Sequence, residues 1–283
     1  MKGQVCAMTQ YDKILGCLYG AAIGESMGTA TETWSTEMIK EAYGSLVTEL
    51  KKPPVSTVSK GTTPAGQVAG GFSFAYLAAR EIVKEQGKTT EEAVSRAMGE
   101  WLKLPQYQMY AGFATTKAIQ RFKGEPVADR HPFLTCNHHN ATNELATKAC
   151  TIGLFYPGDA DKAIDGVITA YRTVHGNVVA MSGGCAVAAA VAAALKEDAN
   201  YYDVLMAGVY GAREGYDRAY NLGIQPGACA LVERRIQLAV EIGMKYQGDM
   251  ERAMKEIEEC VGTGLAANES VAASFGCVAA AAG

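Results

Sequence analysis

Hydrophobic positions recur along this chain with the 3.6-residue period of amphipathic helices, and almost nowhere with the period-two alternation of half-buried strands. Tyr11–Ile23 puts Leu15, Leu18 and Ala22 on one face with Gly16, Gly20 and Gly24 nearby, which predicts a closely packed, buried helix. Thr36–Tyr43 reads as a short amphipathic helix with Ser35 or Thr36 as N-cap. Leu46–Pro64, with Pro53, Pro54, Gly61 and many Ser/Thr, reads as loop. Phe72–Gln86 turns Phe74, Leu77, Ala78 and Ile82 inward and has Gly87 as its C-cap; a capping-box start at Thr90 opens the next helix, and Gly112–Phe122 is another. Lys123–Thr142 is the longest loop-like stretch and holds three of the four histidines. Helices resume at Asn143–Leu154, Asp159–His175, Val178–Leu195, Tyr202–Tyr216, Ala228–Tyr246, Asp249–Glu258 and Ser270–Ala282. With no fixed-period repeat and no Ser/Gly-rich linker, the pattern predicts one all-α domain over residues 1–283. Its Ala/Gly-rich central helices let axes approach closely, as in a compact bundle.

Composition narrows the class. A chain of 283 residues that is 48% hydrophobic carries enough apolar surface for a core and is not disordered. A net charge of -4 gives no basic stripe for nucleic acid. The apolar stretches at Ala186–Leu195 and after Ser270 are too short for a membrane span. Gln10, Asp12 and Lys13 break the N-terminal apolar run, so no signal peptide is expected. Eight scattered cysteines without a CxxC pair suit reduced, buried thiols in a cytoplasmic protein, and with four histidines they offer no zinc set. Cys185, inside an Ala-rich helix pattern with no base nearby, belongs to this buried class.

Three stretches carry a resemblance. Gly16–Glu32 (GCLYGAAIGESMGTATE) keeps Gly24, Gly28 and Glu32 in register with a Gly-Asp-Ala-x-Gly … Glu pattern, with Glu25 in place of Asp. Asn143–Ile164 is followed by His175-Gly176-Asn177, against Asn-Gly-x-x-Met-Arg-x-x-Pro-x-Gly-Leu, a helix and Thr-His-x-Asp. Ala266–Gly283 stands where a Gly-Asp-x-Asp-Thr segment opens a small-residue helix. In this order the three resemble the ADP-ribosylglycohydrolase family, from about Tyr11 to the end of the chain. The resemblance implies an all-α, single-domain orthogonal helical bundle that hydrolyses glycosidic bonds of ADP-ribosylated proteins and related ribosyl compounds, usually with two magnesium ions.

The magnesium ligands are where the chain departs. Ala65, Gly66, Gln67 and Val68 align with the family's Thr-Asp-Asp-Thr, and Ser56–Gly71 contains no Asp or Glu. Ala267, Asn268, Glu269 and Ser270 align with Asp-x-Asp-Thr, so only Glu269 and Ser270 keep ligand chemistry. One Glu, one Ser and the Gln67 amide make a poor site for a hard divalent ion, so no metal or other cofactor is expected. The Gly/Ser-rich phosphate loop is replaced by Asn137–Asn143, and Lys148 replaces an Arg and its planar fork.

The chemistry that remains is carboxylate chemistry. Glu32, Glu25 and Glu269 are the candidate catalytic residues, since glycoside cleavage needs one group to protonate the leaving atom and another to activate water. Each also has a plain structural reading: Glu32 as a surface side chain, Glu25 as a capping carboxylate, Glu269 as compensation of a helix dipole. Candidate ligand-binding residues are Gln67, Trp34, Asn140, Asn143, Lys148, His175 and Ser270. Trp34 would stack on a base; His175 would bind phosphate or a ribose hydroxyl, or else cap a helix; Ser270 is equally an N-cap, and the two Asn suit loop and cap roles. His138 and His139 read as an exposed loop pair, and Trp101, Tyr107 and Tyr110 as core aromatics. The expected activity is hydrolysis of an N- or O-glycosidic bond of a small-molecule ribosyl or ADP-ribosyl compound without the two-magnesium centre, with no nucleic-acid or membrane partner. The alternative is an inactive or repurposed member that binds a nucleotide-like ligand or a protein partner.

Overall fold

The structure, a computed structural model, describes residues 8–55, 63–108, 111–127 and 140–282. Tyr110, His138 and His139 lie outside the described residues. Those described form thirteen helices and no strand. They are α1 Gln10–Gly28, α2 Thr36–Tyr43, α3 Gly70–Lys84, α4 Glu91–Trp101, α5 Pro105–Gln108, α6 Phe113–Phe122 and α7 Glu144–Gly153. Then come α8 Ala160–Tyr171, α9 Val178–Ala194, α10 Tyr201–Asn221, α11 Val232–Lys245, α12 Met250–Cys260 and α13 Ala267–Ala281. The fold is all-α. No helix among the described residues is long and apolar enough to cross a membrane.

Helix α9 organises the packing. Asn177 caps it by accepting from the N–H groups of Val179 and Ala180, and almost every residue behind that cap is buried. Its Ala/Gly surface lets α10, α7 and α8 pack closely against it. One apolar cluster, around Phe74, Trp101 and Tyr171, joins α3, α4, α7 and α8 to one side of α9. A second, around Leu205, Ile236 and Phe275, joins α10, α11 and α13 to the other. Helices α11 and α13 cross at Gly243, where an added Cβ would stand 2.2 Å from the carbonyl oxygen of Gly276. Backbone cannot yield as a side-chain tip can. Gly243→Ala is therefore expected to lower unfolding stability by about 1–3 kcal/mol despite alanine's better helix propensity, as read by denaturant melts. An unchanged midpoint would mean that the two helices do not approach this closely.

The termini depart from the periodic pattern where tertiary contacts intervene. Helix α1 runs five residues beyond Ile23. Leu15, Leu18 and Ala22 are half-buried as the pattern requires, but Gly16, Gly20 and Gly24 have nothing within 4 Å of a Cβ position. The helix therefore lies on the outside, and only Ser26 in its last turns is buried. Thr90 accepts from the N–H of Ala93, but alanine returns no bond, so the reciprocal capping box occurs at Thr9 and Asp12 instead. Helix α8 stops at Tyr171, and the chain turns through residues 172–176. Helix α10 continues to Asn221, and Arg218 near its end pairs with Asp161 and Asp165 of α8. Helix α11 begins four residues after Ala228, because Asn268 holds the Ala230 carbonyl at 2.9 Å. Helix α13 begins three residues before Ser270: an antiparallel bridge between Thr142 and Ala266 gives the Ala267 N–H a partner in the Ala141 carbonyl, at 2.8 Å.

Candidate active site

That bridge brings the entry to α7 and the entry to α13 together beside the ends of α1, α3 and α6. The space between them is a cleft of about 720 Å³. Glu25, Glu32, Trp34, Asn143 and Lys148 all line it, as do Thr115, Glu144 and Glu258.

Glu25 sits in the last turns of α1 and reaches the first turn of α3. The N-cap of α3 is Ala69, which has no side chain able to cap. Glu25 does this work from outside the helix: Oε2 accepts from the N–H of Ala69 at 2.7 Å and Oε1 from that of Phe72 at 2.9 Å. Burial pushes its carboxyl above the ordinary glutamate range, against these backbone donors, and the charge of Glu32 pushes it further. Glu32 stands on the turn between α1 and α2, with exposed surface of its own, but the cleft walls desolvate its carboxyl and raise it too. Trp34 follows and stacks on Tyr43, ring centroids 6.1 Å apart.

Between Glu32 and Trp34, Thr33 has φ +68, an uncommon conformation for a β-branched residue. The turn thus holds strain where it presents both side chains to the cleft. Thr33→Gly is expected to raise stability by about 1 kcal/mol in thermal melts, since glycine adopts this conformation freely. A drop of similar size would show that the Thr33 side chain supports the turn.

Behind the cleft floor lies a buried polar chain. Lys148 is almost wholly buried. Its Nζ lies 2.5 Å from Thr115 Oγ1, 3.2 Å from His175 Nε2 and 3.5 Å from Glu144 Oε2. Thr115 in turn donates from its hydroxyl, at 2.7 Å, and from its N–H, at 3.2 Å, to Glu144 Oε2. Glu144 therefore caps α6, whose own N-cap is Gly112. An added Cβ at Gly112 would stand 1.8 Å from Glu144 Oε1, so glycine leaves the room this carboxylate occupies. Burial pushes Glu144 up, but the charge of Lys148 and the bonds from Thr115 outweigh it and hold the carboxyl below its ordinary value. Burial depresses Lys148, opposed by Glu144. Burial, then the Lys148 charge, push His175 down to about 3. His175 is therefore neutral near pH 7, and its Nε2 accepts a hydrogen bond from Lys148.

The other expected site residues lie elsewhere. Glu269 does not line the cleft; its Oε2 accepts from the N–H of Gly264 at 3.2 Å, tying the first turn of α13 to the loop before it. Ser270 lies inside α13 and accepts from Asn143 Nδ2 at 2.9 Å, so it acts on the cleft only through Asn143. Gln67 stands half-buried on the turn before α3, outside the cleft lining. Asn140 lines a different pocket, and His175 supports Lys148 from behind. Trp101 is a fully buried core residue that backs the cleft wall and donates to Ser73 Oγ at 2.9 Å, and Tyr107 packs at the edge of the first core cluster. Cys185 is fully buried in α9, where burial pushes its thiol up. Thr115, Glu144 and Glu258 line the cleft without having stood out in the sequence, and of these Glu144 carried a local signal. That signal is the Glu-x-x-x-Lys spacing to Lys148 on a helix.

An ADP-ribosylglycohydrolase family model matches residues 7–283. The chain belongs to this family. A curated relative, the uncharacterized protein YegU of Escherichia coli (strain K12), is 24% identical over 265 residues, covering 92% of this chain and 75% of its own length. Among the described residues, no three His, Cys, Asp or Glu side chains converge as a metal site.

Proposed function

We propose that the cleft hydrolyses the glycosidic bond of a ribosyl compound through Glu32 and Glu25, without a two-magnesium centre. The observation that carries this reading is the pair of raised carboxyl groups on one cleft, electrostatically coupled and in unlike surroundings. Among the described residues Glu32 has no hydrogen bond favouring its ionised form and desolvation raises its carboxyl, so it takes the role of general acid and, when protonated, delivers its proton to the leaving nitrogen or oxygen. Glu25 accepts two backbone N–H bonds, which favour its ionised form, so it takes the proton of the attacking water. Water adds to the anomeric carbon as the bond to the leaving group breaks. Trp34 offers a stacking face for a base, and Asn143, held by Ser270, a hydrogen bond to a sugar hydroxyl.

Charge narrows the substrate. Among the described residues four acidic side chains (Glu25, Glu32, Glu144 and Glu258) line the cleft against one ammonium, that of Lys148, and the N-termini of α3 and α6 are already capped by Glu25 and Glu144. A diphosphate would meet repulsion there, so we favour an unphosphorylated ribosyl compound with a neutral or cationic leaving group. The test is to incubate the protein with nucleosides and with ADP-ribose conjugates and to assay free sugar. The expected result is ribose release from at least one unphosphorylated compound. Ligand-induced stabilisation with no product from any compound would instead indicate a binding protein.

A further inference from the structure

A second pocket opens on the far side of α6. At 100° per residue, Gly112 and Thr115 face the cleft, while Ala114, Lys117 and Arg121 face away from it. These three line a cavity of about 260 Å³, together with Asn140, Gly176 and the end of the α8 turn at Arg172–Val174. Among the described residues this lining holds three basic side chains and no carboxylate.

Lys117 decides what the pocket is suited to. It is only 8% exposed, and among the described residues its Nζ lies over the face of the Phe113 ring, 4.6 Å from the centroid. No carboxylate and no carbonyl accepts from it among the described residues. Arg121 and Arg172 stand at the rim and are positioned by other contacts: Arg121 donates to the Thr173 carbonyl at 3.2 Å, and Arg172 to Glu91 at 2.6 Å.

We propose that this pocket binds a small tetrahedral oxyanion of the phosphate class, with Lys117 as its buried counter-charge and Arg121 and Arg172 at its mouth. The volume lies just below the roughly 300–1,000 Å³ of drug-sized ligand sites, which suits one phosphate group with its water or a small monoester, and excludes a dinucleotide. The charge asymmetry across α6 separates the two sites: an acidic cleft on one face and a basic pocket on the other.

The experiment is calorimetric titration of the whole protein with inorganic phosphate, at ionic strength held constant with chloride. Saturable one-site binding is expected, and Lys117→Met should weaken it at least tenfold. The same variant should melt within a degree or two of the parent in phosphate-free buffer, because methionine keeps the apolar stem that packs there. Glu32→Gln should leave phosphate affinity unchanged; tighter binding in that variant would place the anion in the cleft and overturn the proposal. Absence of saturable binding, or equal affinity in Lys117→Met, would also overturn it and leave Lys117 as packing for Phe113. Ribose 5-phosphate distinguishes the sources. Affinity equal to that of phosphate assigns a monoester ligand, and much weaker affinity assigns the free ion.

Discussion

Replacing Glu32 by glutamine is expected to remove ribosyl-hydrolase turnover by about 10²–10⁴-fold, the range that a positioned general acid supplies. Folding should not suffer. Burial raises the Glu32 carboxyl, so the native state holds its proton more tightly than the unfolded chain does. That contribution to stability is present at low pH and is lost as pH rises through the native value. Ionising this side chain in the cleft is thus a small burden that glutamine never carries, and Glu32→Gln should melt at the same temperature as the parent or slightly higher. Initial rates and thermal melts on one preparation check both halves. Retained turnover would remove Glu32 from the chemistry, and a large fall in melting temperature would make it a structural residue.

Glu144→Gln carries the largest expected effect on stability. It keeps the shape of the side chain but withdraws the counter-charge from Lys148, whose side chain is 3% exposed. Breaking a buried pair on one side costs about 3–5 kcal/mol, because the other charge stays behind. The loss is capped by the lysine itself, which burial already depresses and which can release its proton. The deficit should therefore shrink as pH rises. It should also vanish in acid. The Glu144 carboxyl lies below its ordinary 4.5, so its contribution is complete above that value and is lost as pH falls through the lower native one. Lys148→Met added to Glu144→Gln should recover most of the stability, since the pair is then gone from both sides. Denaturant melts of the two variants across pH measure this, and a loss under about 1 kcal/mol at neutral pH for Glu144→Gln would contradict the buried pair.

Much of the fold was legible because local signals and tertiary packing agree. Helix α2 begins and ends as read, capped by the Ser35 side chain and closed by Gly44 at φ +75. Helix α7 lies just inside the expected Asn143–Leu154, and α9 starts at Val178 behind Asn177. What local patterns could not carry is which small residues meet a partner. Gly243 meets another backbone, while Gly16 and Gly20 meet nothing. The entry to α13 is likewise set by a strand-like bridge across more than 100 residues of chain, which no helical period announces.

The site divides the same way. Glu25 and Glu32 lie within one short segment at the end of α1, so motif register alone puts them together. Glu269 and Glu144 exchange the expected positions, because cleft membership depends on how α13 and α7 turn about their axes. Glu25 is also both things the sequence left open: it caps α3 and faces the cleft.

The central claim is that carboxylates alone carry the hydrolysis. It is tested most directly by initial rates of ribose release on the best unphosphorylated substrate, measured with excess EDTA and with added magnesium. The account predicts equal rates in the two conditions and loss of both in Glu32→Gln. Activity that disappears with EDTA and returns with magnesium would contradict it.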